Sequence, residues 1–203
     1  MGSITIIPKE NTELKKKKPR PQTLEWNMEY LHEVKMYAED TFWADWIKNR
    51  FDLALIRIFY SQVGQLTYGE EIKITDGKSV IIGKRTDRDM ALLTNGYKMK
   101  GVYGKEWAEE KGFVYTPQYQ VRINIDHKGH FLKRYKKRGF DLRLVAAFIG
   151  KVAQAKLGQK VKMISDEEII IGKRLDAFHA VLITGMVRGD IDWDDYVDSK
   201  IDV

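Results

Sequence analysis

Hydrophobic and polar residues follow the same order of patterns twice along the chain. Near residues 30–36 every second position is apolar or aromatic, which is typical of a strand. A short helix is expected at Thr41–Arg50, and from Leu55 to Leu66 apolar residues return at the spacing of an amphipathic helix. Alternating runs then predict three strands, at 71–75, 79–85 and 90–94, the last of them ending at Asn95-Gly96.

The second half of the chain repeats this order. Residues 119–125 alternate as a strand does, a short basic segment follows from His130, and residues 144–155 show helical spacing. Three further strands are predicted at 160–164, 168–174 and 178–184. Asp52 and Asp141 precede the longer helices at matching places, where an acidic residue serves as an N-cap.

The two halves are also alike in residue identity. When the chain is shifted by 89 positions, 20 of the 55 residues in 42–96 match those in 131–185 without a gap. The matches include the whole Ile-Ile-Gly-Lys-Arg segment of 81–85 and 170–174. We interpret this as a tandem duplication of an α+β domain with a strand–helix–helix–three-strand antiparallel order, and we call residues 89 positions apart twins. The segments are a flexible basic arm (1–27), a first copy (28–100), a connector (101–118), a second copy (119–189) and an acidic tail (190–203).

Charge is divided unequally between the two copies. The first copy has 11 basic and 11 acidic residues, whereas the second has 15 basic and 6 acidic ones, a net charge of +9. The arm adds the run Lys15, Lys16, Lys17 and Lys18, which repels itself and cannot pack. A positive surface confined to one of two related domains favours a phosphate-bearing ligand, RNA or another nucleic acid.

Composition excludes several other classes of protein. The 203 residues include no cysteine, so disulfides and thiolate metal sites are ruled out. No apolar run approaches the ~20 residues of a membrane span. We therefore expect a cytoplasmic protein without a membrane partner, in the host cytoplasm or the virion if a phage encodes it.

The candidate chemistry lies in the basic segment of the second copy. His130 has the side chain best suited to proton transfer near neutral pH, and Lys133, Arg134, Lys136, Lys137 and Arg138 follow it within two helical turns. A ribonuclease that uses no metal needs a base, an acid and cations around the phosphorane. A solvated basic helix with an incidental histidine is the alternative reading.

The order of elements, together with His-Phe-x-x-Arg-x-x-x-Arg-Gly at 130–139 and Phe-Asp-Leu at 140–142, resembles the RelE/colicin D/barnase-type toxin nucleases. The resemblance covers the second copy and implies metal-independent RNA cleavage that leaves a 2′,3′-cyclic phosphate. It assigns catalytic roles to His130, Arg134, Arg138 and Thr184, with Lys173 and Arg174 as strand cations.

The first copy departs from this pattern, since Thr41, Asp45 and Asn95 occupy the places of His130, Arg134 and Thr184. It is therefore expected to be a degenerate scaffold. It keeps Lys84 and Arg85, however, so a structural role for Lys173 and Arg174 stays open.

We expect no cofactor and no metal, although Asp126, His127 and His130 have a spacing that could begin a zinc site. The acidic tail is a solvated terminus, a docking peptide for a protein partner, or an internal mimic of nucleic acid lying across the basic helix. The functional expectation is a nucleic-acid-binding protein that acts as an endoribonuclease. The alternative is a non-enzymatic phage structural or regulatory protein that uses the same basic face.

Overall fold

A computed structural model describes residues 22–28, 30–117, 119–126 and 129–190. Within these ranges the chain forms ten strands, five α-helices and two 3₁₀ turns. The strands are β1 Leu24–Asn27, β2 Lys35–Ala38, β3 Glu71–Thr75, β4 Ser79–Arg85, β5 Met90–Lys98, β6 Val114–Tyr115, β7 Arg122–Ile125, β8 Lys160–Ile164, β9 Glu168–Arg174 and β10 His179–Val187. The helices are α1 Asp40–Asn49, α2 Ile56–Val63, α3 Lys105–Glu110, α4 His130–Arg138 and α5 Arg143–Lys151, and the 3₁₀ turns are Leu53–Leu55 and Val152–Gln154.

The α+β class is confirmed, and both copies have the same topology. Each copy runs strand, helix, helix and three strands, as β2-α1-α2-β3-β4-β5 and as β7-α4-α5-β8-β9-β10. The last three strands are antiparallel, but the first strand of each copy pairs in parallel with the last one, so both sheets are mixed. This differs from the expected antiparallel domain. Two helices separate the first strand of each copy from the other three strands. Because of this long connection the last strand can run either parallel or antiparallel to the first, and here it runs parallel.

The third strand of each antiparallel set is longer than the sequence predicts. Asn95-Gly96 was expected to end β5, yet the strand continues to Lys98. Gly96 is a packing glycine, since a Cβ atom on it would lie 2.4 Å from the ring of Phe51. Gly185 has the same relation to Phe140, at 2.5 Å. A glycine that makes room for a ring is indistinguishable by sequence from one that ends a strand.

Each sheet gains a fifth strand from a segment that the sequence analysis placed outside the copies. β1, at the end of the assigned arm, pairs in parallel with β8 of the second copy. β6, in the assigned connector, pairs in parallel with β3 of the first copy. Each copy is thus preceded by a strand that joins the other copy's sheet. The run Lys15–Lys18 lies outside the described residues.

The two copies share one hydrophobic core. Trp43 of α1 contacts the rings of Phe131 and Tyr135 of α4, with ring centroids 6.3 and 5.1 Å apart. Helices α2 and α5 also pack against each other. Edge-to-face contacts of this kind are worth about 0.5–1.5 kcal/mol each beyond burial. The sequence suggested two like domains packed together, whereas the buried side chains form a single cluster.

Reciprocal hydrogen bonds fix the contact between the copies. The Asp141 carboxylate accepts from the backbone N–H of Met36 at 3.1 Å. Its twin Asp52 accepts from the backbone N–H of Ile123 at 3.3 Å. Each carboxylate also caps the turn that follows it, as the two cap positions predict. These caps therefore join the copies as well as beginning helices.

Candidate nucleic-acid interface

Helix α4 is held at both ends and along its inner face. The carboxylate of Asp126 accepts from the backbone N–H of His130 at 3.1 Å, and Asp126 itself donates to the carbonyl of Leu182 at 3.0 Å. Gly139 ends the helix with φ +64°, a conformation that favours glycine, and donates to the carbonyl of Tyr135 at 2.7 Å. Phe131 and Tyr135 are buried. The other side of the helix therefore faces outward in a fixed orientation.

The exposed side of α4 carries a line of basic residues. His130, Lys133, Lys136 and Lys137 are all exposed, at spacings of three and four residues that place them on one side of the helix. We call these four residues the α4 stripe. The three basic residues of the last turn complement the helix dipole. Lys133 also faces Lys136 and Lys137, however, and like charges at this spacing destabilise a helix by about 0.2–0.5 kcal/mol per pair. Helix stability alone does not favour this arrangement.

The twin helix α1 supplies an internal comparison. The positions matching the α4 stripe are Thr41, Ala44, Ile47 and Lys48, which are also exposed. The two helices thus present the same positions outward, but only one of these surfaces is strongly cationic. The charge difference between the two copies therefore appears on the exposed surfaces of these two helices.

The two arginines of α4 are placed differently from the α4 stripe. Arg138 is half-buried and forms an ion pair with Asp190, the last described residue. The Asp190 carboxylate also accepts from the backbone N–H of Val187 at 3.3 Å, which holds it against the end of β10. Arg134 is half-buried too, and it is not a free cation. The predicted catalytic arginines therefore lie on a flank of α4 that is already in contact with the protein.

Thr184, the fourth predicted catalytic residue, is buried at 7% exposure. It lies on β10 opposite Ile171 of β9. In the first copy, Asn95 donates to the Asp45 carboxylate at 3.4 Å, and these are the twins of Thr184 and Arg134. In the first copy the fold thus brings the equivalents of positions 134 and 184 together. Among the four residues, His130 alone is exposed.

Arg174, predicted as a strand cation, is committed to the backbone. Its guanidinium donates to the carbonyls of Ala153, Ala155, Asp176 and Ala177. Its twin Arg85 binds the carbonyls of Gly64, Leu66, Asp87 and Arg88 in the same way. The shared arginine therefore holds the turn after the second helix of each copy, which favours a structural role for Arg174. Lys173 is half-buried beside it on β9.

The structure also reveals a buried group of ionisable residues that the sequence analysis missed. Asp141 pairs with Arg143 at 2.7 Å, and the Glu168 carboxylate accepts from the backbone N–H of Asp141 at 2.8 Å. Burial raises the pKa of the Glu168 carboxyl to about 7 and that of the nearby Tyr37 hydroxyl to about 12. The sequence did indicate this group, because the second copy has charged residues at two positions where the first copy has none: the twins of Arg143 and Glu168 are Ala54 and Ser79.

A comparison of the chain with protein-family models, curated proteins and solved structures finds no match. The resemblance to the toxin nucleases therefore stays a prediction. Among the residues described above, no helix combines the length and the apolarity needed to cross a bilayer. The described ranges likewise hold no group of three or more metal-ligating side chains, and His127 lies outside them.

Proposed function

We propose that the protein binds nucleic acid through the α4 stripe. The observation that carries this proposal is the contrast between twin surfaces: lysines occupy positions 133 and 136 where the first copy has Ala44 and Ile47, and all four positions are exposed. Among the described residues, Lys133, Lys136 and Lys137 take part in no ion pair. Their charge is therefore available to a ligand.

The dimensions of the stripe suit a phosphate backbone. From position 130 to position 137 an α-helix rises about 10 Å, at ~1.5 Å per residue. Phosphates of one strand are spaced by about 3.4 Å along a duplex axis, so the stripe spans about three of them. Flexible lysine side chains contact phosphates without reading bases, so the stripe provides affinity rather than sequence specificity.

The proposal is tested by replacing Lys133, Lys136 and Lys137 together with alanine. Each lost phosphate contact flattens the log–log dependence of affinity on salt by about 0.7 for a single strand, so three contacts account for about 2. We expect weaker binding of a single-stranded RNA oligonucleotide and a salt slope that is less negative by about this amount. Fluorescence anisotropy from low to moderate salt measures both.

A charge-matched variant provides the control. Lys48, Lys98 and Lys100 are exposed in the first copy, and changing all three to alanine alters the net charge equally. This variant is expected to keep most of the affinity and slope of the parent protein. Equal losses in the two variants would show that net charge, and not the α4 stripe, causes binding.

RNA cleavage is the more specific form of this proposal. His130 is exposed in the first turn of α4 beside Lys133, where a bound phosphodiester comes within reach of its ring. Against this, Thr184 is buried and Arg138 is paired with Asp190, so binding without cleavage is the better supported function. A phage structural or regulatory protein, in the host cytoplasm or the virion, would use the α4 stripe in the same way.

A further inference from the structure

Helix α1 ends in a backbone conformation that its terminal residue does not favour. Arg50 follows the helix with φ 52°, and among the described residues it is the only one other than glycine with a positive φ. Its twin Gly139 ends α4 with φ 64°. Glycine adopts this conformation without the steric cost that a side chain brings. The helix end itself therefore does not require the Arg50 side chain, which points to a separate role for it.

The guanidinium of Arg50 is held over an aromatic ring. Its Cζ atom lies 4.2 Å from the centroid of the Trp46 ring, and Trp46 is buried. This cation–π contact uses the flat face of the guanidinium and none of its N–H donors. Arg50 is exposed and forms no ion pair with any described residue. The stacking therefore positions a cation whose charge is available to a ligand.

A second arginine lies against the first. Arg122 of β7 donates from Nη2 to the backbone carbonyl of Arg50 at 2.8 Å. Its Nε atom is buried and has no hydrogen-bond partner among the described residues. Buried donors in proteins are nearly always paired, so an unpaired guanidinium N–H at this place indicates an acceptor from outside the chain.

The equivalent place at the other end of the contact between the copies is neutralised by an acid. Lys35 of β2 holds the place of Arg122, because the residues that face them on the next strand are twins. Lys35 pairs with Glu167 at 4.0 Å. The twin of Glu167 is Lys78, so the repeat supplies no carboxylate to Arg122.

Asp52 is an acid that interacts with Arg122, but it does not pair with it. Its carboxylate accepts from the backbone N–H groups of Ala54 and Ile123, at 2.9 and 3.3 Å. Burial raises the pKa of this carboxyl, against the opposing effect of the two N–H groups and of the Arg122 charge. No described residue forms an ion pair with Arg122. Two arginines therefore meet here without a paired carboxylate.

We propose that Arg50 and Arg122 together bind a phosphate group at the contact between the copies. A guanidinium donates pairs of N–H bonds to the oxygens of a carboxylate or a phosphate. A carboxylate is filled by one such group, whereas a tetrahedral phosphate has oxygens and charge for two. The ligand gives the unpaired Nε of Arg122 an acceptor, and it gives the Arg50 side chain a role that the twin glycine cannot fill.

The phosphate belongs either to a strand of nucleic acid or to a small free anion. β7 begins at Arg122 and ends four residues before Gly129, the residue that precedes α4. The strand is about 13 Å long, at ~3.3 Å per residue, so the α4 stripe begins beyond its far end. The site is separate from the stripe and does not rest on the binding proposed for it.

The Nε–H signal of Arg122 tests the site directly. In ¹H–¹⁵N spectra of the full chain, we expect inorganic phosphate to shift this signal to saturation, because the buried N–H gains an acceptor. Sodium acetate at matched ionic strength should move it little. A shift that does not saturate, or an equal shift with acetate, overturns the proposal.

An Arg50→Gly variant removes one guanidinium and keeps a backbone conformation that glycine favours. We expect inorganic phosphate to bind at least about tenfold more weakly, since one hydrogen bond to a charged group accounts for that much. Arg88→Ala is the matched control, because Arg88 is an exposed arginine of the first copy and forms no ion pair with a described residue. This control should bind phosphate as the parent protein does. Equal affinity in Arg50→Gly and the parent overturns the proposal.

Two further measurements complete the test. An Arg122→Gln variant keeps an N–H donor for the Arg50 carbonyl, and unchanged affinity for phosphate, followed at the Nε–H signal of Arg50, also overturns the proposal. Titration with a single-stranded RNA oligonucleotide without terminal phosphates distinguishes the two sources. A saturating shift of the Arg122 signal by this RNA assigns the site to a phosphodiester of the strand, and a shift by inorganic phosphate alone assigns it to a free phosphate group. The titration with inorganic phosphate involves no nucleic acid, so it stays decisive if binding by the α4 stripe fails.

Discussion

The position of Glu168 in the folded protein shifts the pKa of its carboxyl, and this shift can be measured as a pH dependence of stability. It is 9% exposed, and burial raises the pKa of its carboxyl from 4.5 to about 7, against the opposing effect of the Asp141 N–H that it accepts. The folded protein therefore binds this proton more tightly than the unfolded chain does. Its contribution to stability is fully present below about pH 4.5 and is lost as the pH rises to about 7.

A Glu168→Gln variant is expected to remove this pH dependence. The amide keeps an oxygen that accepts from Asp141 and never ionises. One pKa unit corresponds to ~1.4 kcal/mol, so a rise of the pKa from 4.5 to about 7 should make the variant more stable than the parent protein by about 3 kcal/mol at pH 8 and by less than ~1 kcal/mol at pH 5. Urea unfolding at both pH values measures the difference.

The neighbouring Glu167 serves as the control, since its side chain is exposed. Glu167→Gln should change stability little, and its effect should differ between the two pH values by much less than that of Glu168→Gln. A Glu168→Gln variant that is less stable than the parent protein at pH 8 would contradict the assignment, because it would mean that the ionised carboxylate stabilises the fold.

His130 is the residue on which the prediction of RNA cleavage depends. If its ring transfers a proton, the protein should cleave single-stranded RNA in EDTA and leave DNA intact, because DNA lacks the 2′-hydroxyl. Loss of a positioned acid or base typically costs about 10²–10⁴-fold in rate, so His130→Ala should nearly abolish cleavage while RNA binding persists. Gel analysis of cleavage products measures this.

His179 gives a matched histidine control. It is exposed as well, but its ring lies 3.0 Å from the Asp176 carboxylate in the turn before β10, away from α4. His179→Ala should therefore cleave at the rate of the parent protein. Parent protein that binds RNA and cleaves none would instead support the non-enzymatic alternative.

At the scale of elements, the twin caps Asp52 and Asp141 hold the beginnings of two helical segments against the opposite copy. They differ in one respect, because Asp141 also pairs with the buried Arg143, whereas Asp52 precedes Ala54. Removing one partner of a buried ion pair costs about 3–5 kcal/mol, since the other charge is left uncompensated. Leaving buried backbone donors unsatisfied costs about 1–3 kcal/mol.

Asp141→Ala is therefore expected to destabilise the protein more than Asp52→Ala, by about 2 kcal/mol. Chemical denaturation of the two single variants measures the difference. A double variant, Asp141→Ala with Arg143→Ala, should recover part of the loss because the arginine charge is no longer left without its partner. Equal losses in the two single variants would show that the ion pair with Arg143 contributes nothing.

At the scale of the whole molecule, the shared core and the exchanged strands predict that the copies unfold together. Neither sheet is complete without a strand from outside its own copy, and α2 packs directly on α5. We expect one cooperative unfolding transition, with the most protected amides of α2 and α5 exchanging at the same free energy. Native-state hydrogen exchange measures this.

Two transitions, or a large difference in protection between these helices, would instead show two domains that fold independently. In that case the contact between the copies would be an ordinary domain interface, and the reciprocal bonds of Asp52 and Asp141 would add little to it.

Local pattern determined most of the elements. The strands at 71–75, 79–85, 160–164 and 168–174 have the predicted bounds, because alternation and turn residues are properties of neighbouring positions. The repeat and the charge of the second copy were likewise visible without coordinates. So was the basic segment that became α4.

Tertiary structure alone decided the rest, because it depends on which distant positions meet. It pairs β1 with the sheet of the second copy and β6 with the sheet of the first. It packs Gly96 against Phe51 inside a strand that the sequence predicted to end there. It also leaves some basic residues of α4 in an exposed stripe and others on a half-buried flank. It also paired Arg138 with Asp190, 52 residues away in the chain. Sequence determines which charges are present, but the exposure of each charge is set by packing between segments that are remote in sequence.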